Sequence, residues 1–365
     1  MWLPVKSAAA ASADENESTS GFAGAVDWSV AAKAGAKLAR PGPATSRYTA
    51  EAAVEELAAA SIRAEGPVRE TTGLADGLPV PDAQVVDRAG WIAAAASSMK
   101  HLTGDDDDTP PSGLLGGKPA GLQAGAMLAF LSSAILGQYD PFTGENGTLL
   151  LVAPNVIAVE RALRVSPSDF RLWVCLHEVT HRVQFSSAPW LGGYMRENVG
   201  VLSDGTDEPL SDVANRLTGA LKARKNPSGT TKSEDAGIVG LLRATQPQPQ
   251  RDAIDRLLVL GTLLEGHADH VMDAVGPAVV PTVTQIRGAF DQRRRRKVNP
   301  LQRVVRALLG MDAKMAQYVR GKAFVDHVVA AVGMERFNTV WTGPDTLPLL
   351  SEIEDPDAWI ARVLG

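Results

Sequence analysis

The segment from Phe170 to Phe185, FRLWVCLHEVTHRVQF, constrains the fold of this chain more than any other. Within it, His177, Glu178 and His181 form the pattern H-E-x-x-H. Residues four apart lie on one face of a helix, so the two imidazoles are expected to converge on one point. Two such nitrogens suit a tetrahedral Zn²⁺, and Glu178 could take the proton of a water that the metal activates. The pattern therefore predicts a helix that carries a metal site.

The flanking residues are typical of a helix with one apolar face. Ser166 can cap this helix, Pro167 suits its first turn, and Asp169 is favourable at its positive end. An apolar stripe away from the two histidines recurs at Leu172, Leu176, Val179 and Val183. We therefore expect one face in the core and the other presenting metal ligands. The alternative is an ordinary helix whose polar face is solvated.

A second segment, from Leu257 to Val275, reads LLVLGTLLEGHADHVMDAV and contains Glu265 and Asp269 at helical spacing. This pair resembles the E-x-x-x-D arrangement of gluzincin-type zincins, in which a glutamate on a second helix is the third zinc ligand. In those proteins an acidic residue one turn later holds the ring of a ligand histidine. The resemblance implies Glu265 as the third metal ligand and Asp269 as the residue that orients a ligand histidine.

The second segment also contributes two of the chain's six histidines. His267 and His270 could assist the reaction, either by supporting the ligands or by stabilising a developing oxyanion. Tyr194, in the predicted turn Pro189–Met195, is a further candidate hydrogen-bond donor to an oxyanion. For Tyr194 the alternative is a partly buried structural tyrosine.

Several further blocks resemble an uncharacterised family of zincin-like metallopeptidases. The family is found mostly in high-GC Gram-positive bacteria and Chloroflexus-like organisms, and some members are linked to deazaflavin-cofactor biosynthesis. Besides the two segments above, the resemblance rests on VDRAGW (Val86–Trp91), LGQYDPF (Leu136–Phe142), LLLVAPN (Leu149–Asn155) and KMAQYVRGKAF (Lys314–Phe324). It extends from about Val26 to the C-terminus and implies a zinc-dependent hydrolase.

Composition places the chain among globular proteins. It has 365 residues, of which 45% are apolar and only 5% aromatic, and alanine is abundant. These values favour helix over sheet. Together with the resemblance, they imply a mainly α fold of the α+β type, with a zincin-like helical domain and a small sheet beside the metal helix. Met1 to Gly24 is expected to be a disordered leader before one domain over residues 25–365. The single cysteine, Cys175, excludes an internal disulfide.

Charge and hydropathy exclude two classes of partner. The net charge of −6 gives no general attraction to nucleic acid, and the basic run Arg293–Lys297 is more typical of a solvated face. The acidic run Asp105–Asp108 lacks the spacing of a calcium loop. No apolar stretch approaches the 18 residues or more of a membrane span, so we expect a cytoplasmic protein without a membrane partner.

One short strand is expected near the metal helix. Thr148–Val152 (TLLLV) is an apolar run between turn residues, and Gly137–Phe142 before it reads as a turn. Zincins commonly place an edge strand beside the metal helix, where the substrate backbone pairs with it. TLLLV could be that edge strand or a strand buried on both faces.

These patterns together predict a zinc-dependent peptidase. Its ligands would be His177, His181 and Glu265, with Glu178 as general base, Zn²⁺ as cofactor and a peptide or protein as substrate. The rival hypothesis is a catalytically silent zincin that binds metal as a scaffold or has an accessory role in cofactor biosynthesis. The substrate's identity and the oligomeric state have no signal in the sequence.

Overall fold

The structure is a computed structural model that describes residues 26–103, 117–203, 246–295 and 311–365. Helices dominate this part of the chain and three short strands form one sheet, which confirms the predicted mainly α fold with a small sheet. In the first half the elements are α1 (Trp28–Leu38), α2 (Arg47–Thr72), β1 (Gln84–Val86), α3 (Arg88–Leu102), α4 (Lys118–Leu131), β2 (Gly137–Asp140), β3 (Thr148–Val152) and α5 (Ala153–Leu163). The remaining long helices are α6 (Pro167–Ser187), α7 (Trp190–Ser203), α8 (Gln248–Val279), α9 (Val283–Arg295) and α10 (Met311–Val332). Short helical turns follow between Met334 and Leu364.

The sheet has the order β1-β3-β2, so β3 is its central strand. β1 runs parallel to β3 and β2 runs antiparallel to it, with Val85 and Gln138 opposite Leu151 and Leu150. The interpretation of Thr148–Val152 as the edge strand is therefore wrong, and β2 lies at the edge beside α6.

Both faces of β3 are buried, which explains its continuous apolar sequence. Leu149 and Leu151 belong to a core shared with α2, α5 and α6. Leu150 and Val152, on the opposite face, belong to a second core with α3 and α4. The alternation follows from the two-residue period of a strand. The sheet therefore separates the helix that carries the H-E-x-x-H pattern from α3 and α4, whereas α2 packs on the same side as that helix.

Helix ends follow local chemistry that the sequence reveals only in part. α3 begins after Asp87, whose side chain accepts a hydrogen bond from the backbone N–H of Gly90 at 2.7 Å. α6 begins at Pro167 as expected, but the Ser166 side chain makes no capping hydrogen bond. Asp169 lies in the first turn of α6 and accepts hydrogen bonds from both the backbone and the hydroxyl of Thr282.

Three predicted turns or linkers are wrong because their structure depends on distant contacts. Gly137–Asp140 is a strand because it pairs with β3. Trp190–Ser203 is a helix despite its two adjacent glycines, and its Leu191 is buried in a third core formed with α8 and α10. The prolines of Gln246–Gln250 (QPQPQ) predict a linker, but the long helix α8 begins within this range, at Gln248.

α8 packs against both α6 and α10. Its Gly266 meets Gly321 of α10 so closely that a Cβ at either position would overlap the backbone of the other helix. Thr262, one turn earlier on α8, also contacts Gly321. The two helices are thus in backbone contact beside the residue that precedes Gly266, which is Glu265.

Several sequence predictions fall outside the described residues: the leader Met1–Gly24, the acidic run Asp105–Asp108 and the side chains of Arg293–Lys297. The division into a leader and one domain over residues 25–365 stays a prediction. Within the described ranges, no helix combines the length and the apolar character needed to cross a membrane.

Candidate metal centre

Helices α6 and α8 bring three metal-ligating side chains together. The Nε2 atoms of His177 and His181 lie 3.3 Å apart. Oε2 of Glu265 is 3.3 Å from Nε2 of His177 and 3.8 Å from Nε2 of His181. One ligand atom from each of the three residues lies within 4.8 Å of the others. The two imidazoles therefore converge as their spacing in the sequence predicts, and Glu265 of α8 lies beside them.

These separations suit a small tetrahedral ion. Two atoms bound to one Zn²⁺ at about 2.0–2.1 Å and a tetrahedral angle lie roughly 3.3–3.4 Å apart. Nitrogen and carboxylate oxygen are also donors that zinc accepts. Among the residues that the structure describes, no fourth His, Cys, Asp or Glu joins the group. The side chains of His177, His181 and Glu265 retain 22%, 14% and 22% of their exposure, so none of the three is fully buried. Three protein ligands, which leave a fourth position for water, are typical of a catalytic rather than a structural zinc site.

Without a metal, the group attracts a proton. Burial alone lowers the pKa of His177, but the hydrogen bond and the charge of Glu265 outweigh it, and Glu178 and Asp269 add to the effect. The result is a pKa raised to about 9. A cation, whether a proton or a metal ion, is therefore favoured between these side chains.

Glu178 lies at the interface between α6 and the edge strand β2. It is 7% exposed and packs on Gly137. A Cβ at position 137 would lie 2.6 Å from Cγ and 2.9 Å from Oε1 of Glu178. Only a residue without a side chain leaves room for the carboxylate in this position. Gly137 thus sets where the predicted general base can lie.

His181 is held by Gln184, one turn further along α6. Oε1 of Gln184 is 2.9 Å from Nδ1 of His181. Nε2 of the same amide is 2.9 Å from the carbonyl oxygen of Leu264 and 3.0 Å from Nδ1 of His267. Gln184 is fully buried. It therefore links a ligand histidine on α6 to the turn of α8 that carries Glu265.

Asp269 lies near the ligands but has a different hydrogen-bond partner from the one predicted. Its charge acts on His177, while its Oδ1 accepts a hydrogen bond from Arg287 of α9 at 3.2 Å. Arg287 also forms an ion pair with Asp273. The orienting role of Asp269 toward a ligand histidine stays a prediction.

The two remaining histidines of α8 have partners outside the ligand group. His267 is fully buried; its ring stacks on Phe337 and is tilted against Trp341, with ring centroids 5.4 and 5.3 Å away. Burial and the neighbouring His270 and His181 lower its pKa to about 3, so it is neutral. Nδ1 of His270 is 2.7 Å from Oδ1 of Asp326 on α10. A direct catalytic role for His267 stays a prediction, but its burial favours a role in positioning other residues.

Tyr194 lies on α7, in the core that α7 forms with α8 and α10. Its ring meets that of Trp190 edge to face at 5.7 Å, and burial raises the pKa of its hydroxyl. This is the partly buried structural setting that was the alternative for this residue. Its predicted contact with an oxyanion stays untested.

Sequence reasoning missed Gln184 and Gly137. Gln184 follows His181 by three residues, so a search for polar side chains on the ligand face of α6 could have found it. Gly137 carried a weaker signal, because a glycine next to a strand sometimes marks a close backbone approach. The contact between Gly137 and Glu178 can be recognised only in the folded structure.

The helical fold and the group of two histidines and one glutamate define a class of metal-binding proteins, the zincins. The chain belongs to the Zincin-like metallopeptidase family, whose model matches residues 26–360. A crystal structure from Chloroflexus aurantiacus, described as "a putative hydrolase with a novel fold", is 30% identical and has a TM-score of 0.63. The match covers 92% of this chain and 98% of that chain. No curated protein matches the chain. These comparisons support a metal-dependent hydrolase, with zinc as the usual metal of the family.

Proposed function

We propose that this protein is a zinc-dependent peptidase with His177, His181 and Glu265 as ligands. The observation that carries the proposal is the group of three ligand atoms within 4.8 Å, on partly exposed side chains, with Glu178 next to the first ligand in the chain. Family membership supports the metal and the hydrolase class. Peptide-bond cleavage and the role of Glu178 are the steps that this proposal adds.

In the proposed reaction, a bound Zn²⁺ supplies Lewis acidity that polarises the scissile carbonyl and acidifies a water molecule. Glu178 takes the proton of the attacking water and later donates it to the leaving amine nitrogen. His177 and His181 serve as neutral nitrogen donors, so His177 must lose the proton that Glu265 favours in the metal-free protein. The carboxylate of Glu178, confined by Gly137, acts from a fixed position.

The edge strand gives the proposal a place for the substrate backbone. β2 pairs with β3 on one side, and within the described part of the chain no strand pairs with its other side. The strand begins at Gly137, in contact with Glu178. An extended peptide added at this edge would pass next to the proposed base. This supports a peptide as the substrate, and it moves the expected pairing from Thr148–Val152 to Gly137–Asp140.

The rival is a silent zincin that binds metal without catalysis. A purely structural zinc site is closed by four protein ligands. The described site has three, each partly exposed, and keeps a carboxylate beside them. These features favour the catalytic alternative.

The test compares wild type with Glu178→Gln, which keeps the side chain's size and removes the base. Both proteins are loaded with Zn²⁺, their metal content is measured, and cleavage of a broad peptide mixture is followed by mass spectrometry. We expect equal zinc content and a loss of hydrolysis of about 10²–10⁴-fold in the variant.

A matched control is Glu197→Gln on α7, which makes the same chemical change on a different helix. It is expected to cleave like wild type. Wild type that holds Zn²⁺ yet cleaves no peptide would favour the silent zincin. Equal cleavage by wild type and Glu178→Gln would exclude Glu178 as the base.

A further inference from the structure

The amide of Gln184 has only one orientation that satisfies its neighbours. A backbone carbonyl oxygen accepts hydrogen bonds and cannot donate them. The amide atom 2.9 Å from the carbonyl oxygen of Leu264 must therefore be the NH₂ group. The amide oxygen then faces Nδ1 of His181 at 2.9 Å. The carbonyl oxygen of Leu264 thus determines that the amide oxygen of Gln184, and not its nitrogen, faces Nδ1 of His181.

This orientation fixes the tautomer of His181. An amide oxygen only accepts hydrogen bonds, so Nδ1 of His181 must carry the proton. Its Nε2 is then left with a lone pair, and Nε2 is the atom that lies 3.3 Å from Nε2 of His177. A reversed amide would place NH₂ against Nδ1 and transfer the ring proton to Nε2. In that tautomer His181 could not bind a metal through Nε2.

His267 adds a second constraint on the same amide. Its Nδ1 lies 3.0 Å from Nε2 of Gln184 and must accept a hydrogen bond from it. The imidazole is held in the core between Phe337 and Trp341, so the ring has no solvent-facing alternative. Both N–H groups of the Gln184 amide therefore have acceptors on α8, at Leu264 and His267. Its oxygen remains available for His181.

We propose that Gln184 is a positioning residue that selects the metal-binding tautomer of His181 and joins its helix to the one that carries Glu265. His267 supports this orientation and does not contact the substrate. The inference rests on the proposed metal site and not on hydrolysis. Its failure can therefore be distinguished from failure of the proposed function.

The first test measures Zn²⁺ affinity by chelator competition in wild type, Gln184→Met and Gln184→Glu. Methionine keeps the length of the side chain but offers neither the acceptor nor the two donors. We expect about a 10- to 100-fold loss of affinity, the usual range when the hydrogen-bond partner of a metal ligand is removed. Gln184→Glu keeps an acceptor for Nδ1 of His181 and is expected to retain more affinity than Gln184→Met.

Thr180→Val is the matched control on the same helix. Thr180 is fully buried and donates only to the carbonyl oxygen of Leu176 at 2.7 Å, so its loss perturbs the core without touching a ligand. It should bind Zn²⁺ as wild type does. Equal affinity in wild type and Gln184→Met overturns the inference. An equal loss in Thr180→Val overturns it too, because any buried polar substitution would then have the same effect.

The second test determines the tautomer of His181 in the wild-type protein. ¹⁵N NMR of the histidine rings in metal-free wild type reports which nitrogen of His181 carries its proton, and a His181→Asn spectrum assigns the signal. We expect the proton on Nδ1. A neutral His181 with its proton on Nε2 overturns the inference even if Zn²⁺ binds. Wild type that binds no Zn²⁺ would overturn the proposed function, whereas a proton on Nδ1 in that protein would still support the tautomer assignment.

Discussion

Helix α6 has two polar faces: on one the charged side chains form buried ion pairs, and on the other the polar side chains crowd together. On one face, Arg171 and Arg182 lie eleven residues apart, three turns along the helix, and both are buried. Arg171 forms a two-pronged ion pair with Glu160, and Arg182 pairs with Glu65. On the other face, His177 and His181 crowd against Glu265 and against each other. The first set pairs charges of opposite sign, whereas the second favours a cation among its members.

We infer from this difference that the arginine face of α6 has a structural role and that its histidine face has a functional one. The buried arginines are paired with glutamates and hold α6 in the core. This face therefore offers no charged group to a ligand. The crowded, partly exposed side chains of the histidine face favour a cation beside them, as the raised pKa of His177 indicates. The arginine face can therefore keep the histidine face in place when the metal is absent. The predictions below test this division.

Arg171→Met should produce the largest loss of stability. It leaves the carboxylate of Glu160, only 5% exposed as a side chain, without its two-pronged partner. We expect a loss of about 3–5 kcal/mol in the free energy of unfolding, measured by denaturant titration. The double variant Arg171→Met with Glu160→Leu should recover much of it. If the single and double variants were equally unstable, the ion pair would not be the cause.

Gly137→Ala should reduce catalysis strongly with little effect on metal content. The added methyl would lie 2.6 Å from Cγ of Glu178, so the carboxylate must move. A displacement of about 1 Å at a catalytic group can cost roughly 10²-fold in rate. The measurement is peptide hydrolysis alongside zinc content. Gly193→Ala, which has nothing within 4 Å of its added methyl, is the control. Unchanged hydrolysis in Gly137→Ala would show that this contact does not position the base.

Zinc should stabilise the protein through the histidine face alone. At a free concentration of 100 times Kd, Zn²⁺ is expected to add about 2.7 kcal/mol to the free energy of unfolding. Chelation should therefore lower the thermal midpoint without unfolding the chain, because the arginine face remains intact. In His181→Ala, the midpoints with and without Zn²⁺ should coincide. A thermal midpoint of the wild type that is the same with and without Zn²⁺ would contradict a metal site on this face.

The stability of the metal-free protein is also expected to depend on pH. The pKa of His177 is raised to about 9 in the folded state from an ordinary 6.5. Its stabilising contribution is therefore complete below pH 6.5 and is lost as the pH rises through about 9. Glu265→Gln removes the main cause of the raised pKa and should flatten this dependence. The check is the thermal midpoint of both proteins between pH 6 and about pH 10 with chelator present. Parallel curves would mean that Glu265 does not hold the proton.

The sequence predicted the grouping of the three candidate ligands better than their surroundings. His177 and His181 follow from spacing within one helix, which is a local property. Glu265 came from the resemblance of its segment to a known arrangement, and the fold places it beside them. Gly137 and Gln184 could not be assigned in this way, because their roles depend on the pairing of β2 with β3 and on the packing of α6 against α8.

The same limit explains the errors in local structure. Gly137–Asp140 has the composition of a turn and becomes a strand only through hydrogen bonds to β3. Trp190–Ser203 contains glycines that disfavour a helix, yet buried contacts of Leu191 stabilise it. Tertiary contacts outweigh local propensity in both cases. The buried interpretation of Thr148–Val152 is correct because its apolar run is continuous, and a strand facing solvent on one side would alternate.

The glycine contact between α8 and α10 bears on which ions the site can accept. Glu265 is next to Gly266, whose backbone already touches Gly321. A larger ion such as Ca²⁺, with bonds of about 2.3–2.6 Å, would require Glu265 to move away from the histidines. Backbone already meets backbone where Gly266 and Gly321 touch, so α8 has no room to shift toward α10. The glycine pair thus restricts how far the helix that carries Glu265 can adjust to a larger ion, although neither glycine belongs to the ligand group.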